Sequence, residues 1–197
     1  GDAGYSAIYG HMGTAELAAI TLTFPVQGLT IGFFSGLSAA TGILIGNELG
    51  SNDFDKGYVL AWKFIKICVV GCTAIGILIF AFAPIYIRFY NVEDQVQEYA
   101  KHLLWIFAFY LWIKVCNMII GSGILRSGGK TKFTLFLDVL GTYGIGLPLG
   151  LLGALVFKFE ITKVYALLSV EEIARLVIGT ARVKSRKWID NITQKNN

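Results

Sequence analysis

The 197-residue chain is 55% hydrophobic and 15% charged, with a mean hydropathy of +0.62. Soluble domains carry about a quarter of their residues as charged side chains, so this composition excludes an ordinary soluble domain and describes a membrane protein. The net charge of +4 collects on one side of the apolar stretches, so anionic lipid headgroups account for it and no nucleic-acid partner is needed.

The chain starts with Gly, without an initiator Met or a cleavable signal segment, and reads as a fragment. Residues 1–13 are the stub of a truncated helix, closed by Gly13 and Thr14. A long span over about 15–50 follows. Between Glu16 and Glu48 lie 31 residues without a charge, which as a helix rise about 46 Å, more than a bilayer core of about 30 Å. The helix therefore crosses with some tilt. Gly28, Gly32 and Gly36, then Gly42, Gly46 and Gly50, recur every fourth residue and predict close approach of neighbouring helices.

A second span, about 58–90, holds 21 uncharged residues between Lys66 and Arg88, with Pro84 near its exit. The polar link NVEDQVQEYAKH leads into a third span, about 97–126, whose aromatics Trp105, Phe107, Phe109, Tyr110 and Trp112 read as an interfacial belt in lipid contact. The fourth span, about 132–157, is interrupted by Asp138 and Pro148 and dotted with glycines, so a kink or local loosening is expected. The fifth, about 162–180, carries Glu171, Glu172 and Arg175 and is apolar enough only if it packs against protein. Residues 181–197 form a basic tail with Trp188, expected to lie at the headgroups. Cys68, Cys72 and Cys116 sit within apolar stretches without a further metal-ligand pair, and read as buried thiols.

With alternating spans, eleven of the seventeen basic residues, from Lys56 to Lys195, fall on one side. That side is the cytoplasm by the positive-inside bias, which puts the C-terminus inside.

Four pieces in order, YGHMGTAELAA from Tyr9, the helix from Pro25 to Gly50, the turn NELGSNDFDKGY and the turn GILRSGGKTKF, resemble the C-terminal half of a multidrug and toxic compound extrusion (MATE) transporter. The resemblance implies an all-α polytopic membrane helix bundle: one MATE-like lobe lacking most of its first helix. It also implies an antiporter of a bacterial inner membrane that exports small organic compounds against a proton or Na⁺ gradient, together with a missing N-terminal lobe. A lobe alone has half a pathway, so no transport is expected of it. Two alternatives stay open: a non-transporting module or half-transporter needing a partner, and a lipid-linked saccharide flippase. No enzyme is expected, because the spans hold no Ser/His, paired Asp or metal-ligand constellation, and His11 and His102 fall near the outer interface. No cofactor is implied beyond the coupling ion.

Ionisable groups at membrane depth are functional candidates by default. Lys114 follows Lys101 by 13 residues and precedes Arg126 by 12, so it lies about 18–20 Å from either end, near the midplane. It faces a wet cavity, pairs with a carboxylate, or reaches water through a cleft. Asp138, about 9 Å inside the membrane, either binds a proton or Na⁺ or pairs with Arg126, Lys130 or Lys132; a direct pair with Lys114 is not expected. Glu171 and Glu172 are placed to pair with Arg175 on one helix surface.

Asp2 falls near mid-depth in the truncated helix. In the NorM-like branch of the family, the C-lobe cation site uses acids in the helix matching this stub and in the one matching the third span. Here the third span offers Lys114 and Asn117 instead, so that site is not carried over and Asp2 stands as a displaced equivalent. Gln27 and Asn117 either line a substrate cavity or make interhelical hydrogen bonds, and Pro25 is a candidate bend point.

Overall fold

The computed structural model describes residues 13–189, apart from the side chains of residues 155 and 156. The expected stub, with Asp2, and the end of the basic tail lie outside the described residues.

Helix α1 (Thr14–Gly50) is followed by α2 (Phe54–Arg88) and α3 (Asp94–Met118), which runs on through a π-helical turn, Ile119–Leu125. Helix α4 (Thr131–Val139) passes into a second π turn, Leu140–Gly146, then into the short α5 (Leu147–Leu151) and a third π turn, Leu152–Val156. Helix α6 (Ile161–Lys184) ends the fold, continuing into the segment read from sequence as tail. Four of these units, Thr14–Gly50, Phe54–Arg88, Asp94–Leu125 and Thr131–Ala154, are long and apolar enough to cross a bilayer. The described residues contain no strand, and the fold is an all-α membrane helix bundle.

Helix α3 is the hub, with α1, α2 and α6 packed around it. Its most apolar window is 61% buried, against 28% in α1 and 17% in α2. The outer helices turn Leu29, Phe33, Val70 and Ile77 outward. In water such a surface would drive association; against hydrocarbon it costs nothing, so packing and small-residue contacts, not apolar burial, choose the neighbours.

Those contacts are local. A Cβ on Gly76 would lie 2.9 Å from the Ala108 carbonyl oxygen, so only glycine lets α2 and α3 meet there. Across α1 and the first π turn, a Cβ on Gly123 would come within 3.1 Å of the Ser38 carbonyl oxygen, and Ser38 Oγ donates to the Met118 carbonyl at 3.1 Å. The glycine series of α1 behaves differently from expectation. Gly42 opposes Gly123, while Gly28, Gly32, Gly36, Gly46 and Gly50 meet nothing within 4 Å. The spacing permits approach but does not supply a partner.

The polar side chains of α1 are satisfied mostly by their own helix. Thr30 and Thr41 donate to carbonyls one turn back at 2.7 and 2.8 Å, and Gln27 Nε2 donates to Thr23 Oγ1 at 2.8 Å. Such bonds remove the cost of a hydroxyl or amide in lipid without a second helix.

The turn to α2 is closed by Asp53, which caps the helix by accepting from the Lys56 backbone N–H at 3.2 Å and holds Lys56 Nζ at 2.6 Å. The hydrogen bond from Lys56 keeps the Asp53 carboxyl below its ordinary range.

Two aromatic expectations change. Phe107 and Tyr110, read as part of a lipid-facing belt, are buried in the bundle, and the Tyr110 hydroxyl donates to the Ser169 carbonyl of α6. They lie on the face of α3 turned toward its neighbours, whereas Phe109 points out. Trp188, expected at the headgroups, is fully buried and donates from Nε1 to the Val183 carbonyl at 3.0 Å. Gly128 makes this seat, since a Cβ there would lie 2.0 Å from the Trp188 carbonyl oxygen. Arg186 then stacks 4.2 Å above the Tyr58 ring and reaches Asp55 at 2.8 Å. Packing against two interhelical turns thus wins over the surface position suggested by composition.

Candidate functional site

Between α3, α4 and α6 lies a cavity of about 190 Å³ whose polar lining includes Lys114, Asn117, Asp138, Glu172 and Arg175, with Ile31 of α1 on its wall. Five ionisable or amide side chains from three helices line it, three of them (Lys114, Asn117 and Asp138) on units long and apolar enough to cross a bilayer. Each needs a partner, water or a ligand.

Arg175 organises one wall. Its Nη1 lies 3.5 Å from Asp138 Oδ1, and its Nη2 donates to Thr142 Oγ1 at 2.6 Å, to the Asp138 carbonyl at 3.3 Å and to Glu171 Oε1 at 3.4 Å. Asp138 therefore meets Arg175, 37 residues away, where sequence reasoning looked to the bases of its own neighbourhood. The guanidinium rests on Gly141, whose Cβ would stand 2.1 Å from Arg175 Nε. Gly141 and Thr142 belong to the second π turn, and π turns inside helices commonly occur at functional sites. Here the turn brings a bare backbone, a hydroxyl and the Asp138 carbonyl to one cation.

Glu171 is 4% exposed. Its i,i+4 pair with Arg175 is the intrahelical contact expected from spacing, but it belongs to a larger network that crosses to α4. Glu172 points elsewhere. Asn117 Nδ2 donates to its Oε2 at 2.7 Å and to its backbone carbonyl at 2.8 Å, tying α3 to α6.

Lys114 stands one turn before Asn117 on the same wall, half-buried. It lines the cavity with Asp138 and Glu172, yet it makes no hydrogen bond or ion pair with any described residue. Its expected separation from Asp138 is consistent with this geometry.

Gln27 and Pro25 are not in the cavity lining. Gln27 is turned to Thr23, and Pro25 is exposed on α1. Asp2 lies outside the described residues. The structure adds Gly141 and Thr142, for which the only sequence signal was the density of glycines around Pro148. The three thiols form a separate cluster, with Cys68 Sγ 3.5 Å from Cys116 Sγ and 3.8 Å from Cys72 Sγ. No group of His, Cys, Asp and Glu among the described residues is arranged to hold a metal ion.

Comparison with known proteins gives the fold a family. The chain is 25% identical over 178 residues to the uncharacterized transporter YisQ of Bacillus subtilis, covering 90% of this chain and 39% of YisQ. It is 30% identical over 154 residues to the multidrug resistance protein MdtK of Edwardsiella ictaluri, covering 77% of this chain and 31% of MdtK. A solved MOP superfamily transporter from Pyrococcus furiosus superposes with a TM-score of 0.87 at 19% identity, over all of this chain and 43% of the other. At that identity the superposition speaks for the fold alone. The chain thus spans well under half the length of these relatives. The MatE family model matches residues 5–152, most of the chain, and the chain belongs to the MatE family.

Proposed function

We propose that the chain is the C-terminal lobe of an efflux antiporter that exports small organic compounds on a proton or Na⁺ gradient, and that it needs an N-terminal lobe to transport. Its setting is a bacterial inner membrane with the C-terminus in the cytoplasm. The cavity between α3, α4 and α6 carries the reading, since five polar groups converge on its lining within a bundle whose α3 and α4 units are long and apolar enough to cross a bilayer. The names of relatives such as MdtK add the class of compound.

In this reading Asp138 is the coupling carboxylate. Its side chain is 59% exposed on this chain's own surface while Arg175 is only 17% exposed, so Asp138 is the member of the pair that water and a cation can reach. Protonation or Na⁺ binding would release Arg175 from one of its carboxylates and leave Glu171 and Thr142 to hold it. The released contact is one of the links between α4 and α6, two helices whose relative movement would open or close the cavity. Glu172, held by Asn117, keeps α3 and α6 together during that movement.

Efflux from cells tests this. A panel of fluorescent organic compounds, cationic and acid-bearing, is loaded into cells making the chain alone or a version extended upstream by a first lobe. Efflux from the extended form only, lost in Asp138→Asn, is the expected result. Efflux by the short chain would overturn the need for a partner lobe. No efflux of any compound from either form would overturn the antiporter reading, and unchanged gradient-driven efflux in Asp138→Asn would remove Asp138 from coupling.

A further inference from the structure

We infer that Lys114 is a specificity residue that selects compounds bearing a carboxylate, and so biases this cavity toward organic acids and zwitterions over simple cations. The inference rests on the efflux reading of the same cavity and goes one step further, to the chemistry of the substrate.

The cavity's charges divide into those already answered within the protein and one that is not. Arg175 is held by Asp138, Glu171 and Thr142, with its guanidinium seated on Gly141. Glu172 accepts from Asn117. Lys114 lines the same cavity, half-buried near the middle of its span, and bonds to no described residue. Two carboxylates share its cavity, yet neither closes to ion-pair distance with it. An ammonium at this depth is unfavourable without water or a counter-charge. The arrangement of the other groups prevents the protein from supplying that counter-charge cheaply: moving Asp138 would take one of its two carboxylates from Arg175, and moving Glu172 would break its bond to Asn117.

A ligand carboxylate fits the remaining requirement. It would replace cavity water at Lys114 with a charge-assisted hydrogen bond, which is stronger than a neutral one. A compound that is only cationic meets the opposite situation, because its charge enters beside an uncompensated ammonium. The amine of a zwitterion can approach Glu172 or Asp138 on the same lining, so acid-bearing compounds with or without an amine belong to the selected class. The lysine is also well suited by shape: its flexible stem lets one ammonium follow carboxylates on differently sized ligands, as an exporter of varied compounds requires.

The test uses the two-lobe form reconstituted in lipid nanodiscs, with three versions of one fluorophore. Nε-dansyl-lysine is a zwitterion, its Nα-acetyl derivative is an anion, and its methyl ester is a cation. Equilibrium binding is read from dansyl fluorescence. The expected result is that the zwitterion and the anion bind at least about tenfold more tightly than the ester, the scale of one hydrogen bond to a charged group. Lys114→Met should remove this preference while leaving ester affinity unchanged or improved, and Lys114→Arg should keep it. Equal binding of all three by the unmodified protein, or equal weakening of all three in Lys114→Met with no rescue in Lys114→Arg, would overturn the role of Lys114 while leaving the cavity as a binding site. No binding of any probe by the unmodified protein would overturn the inference and the efflux reading together.

Discussion

The two seams that meet at α3 are built from opposite materials. Toward α2, the seam holds Gly76 against the Ala108 carbonyl and the Cys68 thiol against those of Cys72 and Cys116, with Phe34 of α1 in the same apolar cluster. Toward α4 and α6, the neighbourhood holds Lys114, Asn117, Glu171, Glu172, Arg175 and Asp138, with π turns in place of regular helix on α4's continuation and at the end of α3. The first seam is satisfied mainly by contact, with a hydrogen bond from Trp105 Nε1 to the Phe80 carbonyl at 3.1 Å. The second is satisfied only through specific pairs, and a few changed interactions can rearrange it. An element meant to move during transport is better built from the second material, because releasing one ion pair alters the balance without having to unpack a core.

The largest separation between the seams is expected on removing the cation that holds the polar one. Arg175→Met removes the guanidinium that lies 3.4 Å from Glu171, 4% exposed, and 3.5 Å from Asp138, and should cost about 3–5 kcal/mol, the usual penalty for removing one partner of a buried ion pair. Denaturation with SDS from mixed micelles measures it. A loss below about 1 kcal/mol would mean the network contributes little to holding the lobe together.

Gly141→Ala comes next, at about 2–4 kcal/mol, since the added methyl would stand 2.1 Å from Arg175 Nε and must both overpack the site and loosen the hydrogen bonds to Thr142 and Asp138. On the apolar seam the equivalent change is Gly76→Ala. There the methyl meets the Ala108 carbonyl at 2.9 Å, a milder overlap expected to cost about 1–3 kcal/mol. Thermal unfolding in the same detergent ranks the two, and the reverse order would contradict the tighter fit assigned to Gly141. Their functional consequences should differ as well, because only the Gly141 variant is expected to alter ligand binding.

These contrasts also mark what could be read from the sequence. Charge-free runs are decisive in a membrane, since a backbone in lipid must be helical and a charge there is costly, so the all-α bundle was legible. Lateral neighbours were not. Asp138 and Arg175 are 37 residues apart, and nothing in their local spacing says that α4 and α6 face each other. The glycine series of α1 illustrates the same limit: six positions had the spacing for close packing, and Gly42 alone among them opposes another helix within 4 Å. Trp188 was assigned to the surface from the basic residues around it, but the decisive feature was the missing side chain of Gly128, sixty residues earlier. The π turns left only an excess of glycine as a trace, because a wider turn changes hydrogen-bond pairing without changing composition.

The finest test of the contrast changes only a few atoms on each side. Thr142→Val keeps the shape of the side chain and deletes the hydroxyl that accepts from Arg175 Nη2 at 2.6 Å; losing a hydrogen bond to a charged group should cost about 1.5–3 kcal/mol. Cys68→Ala removes one sulfur from the apolar seam, where it contacts Cys116 at 3.5 Å and Cys72 at 3.8 Å. A buried thiol behaves as a small hydrophobe with a weak donor, and its loss leaves no group that needs a strong partner. The expected cost is therefore about 1 kcal/mol, from lost contact alone. Ligand affinity should fall in Thr142→Val, because Arg175 relaxes into the cavity, and should stay unchanged in Cys68→Ala. Measuring both stability and dansyl-probe binding on the two variants separates the cases: if Cys68→Ala alters binding as much as Thr142→Val does, then the seams are mechanically coupled through α3, and the apolar one is no passive support.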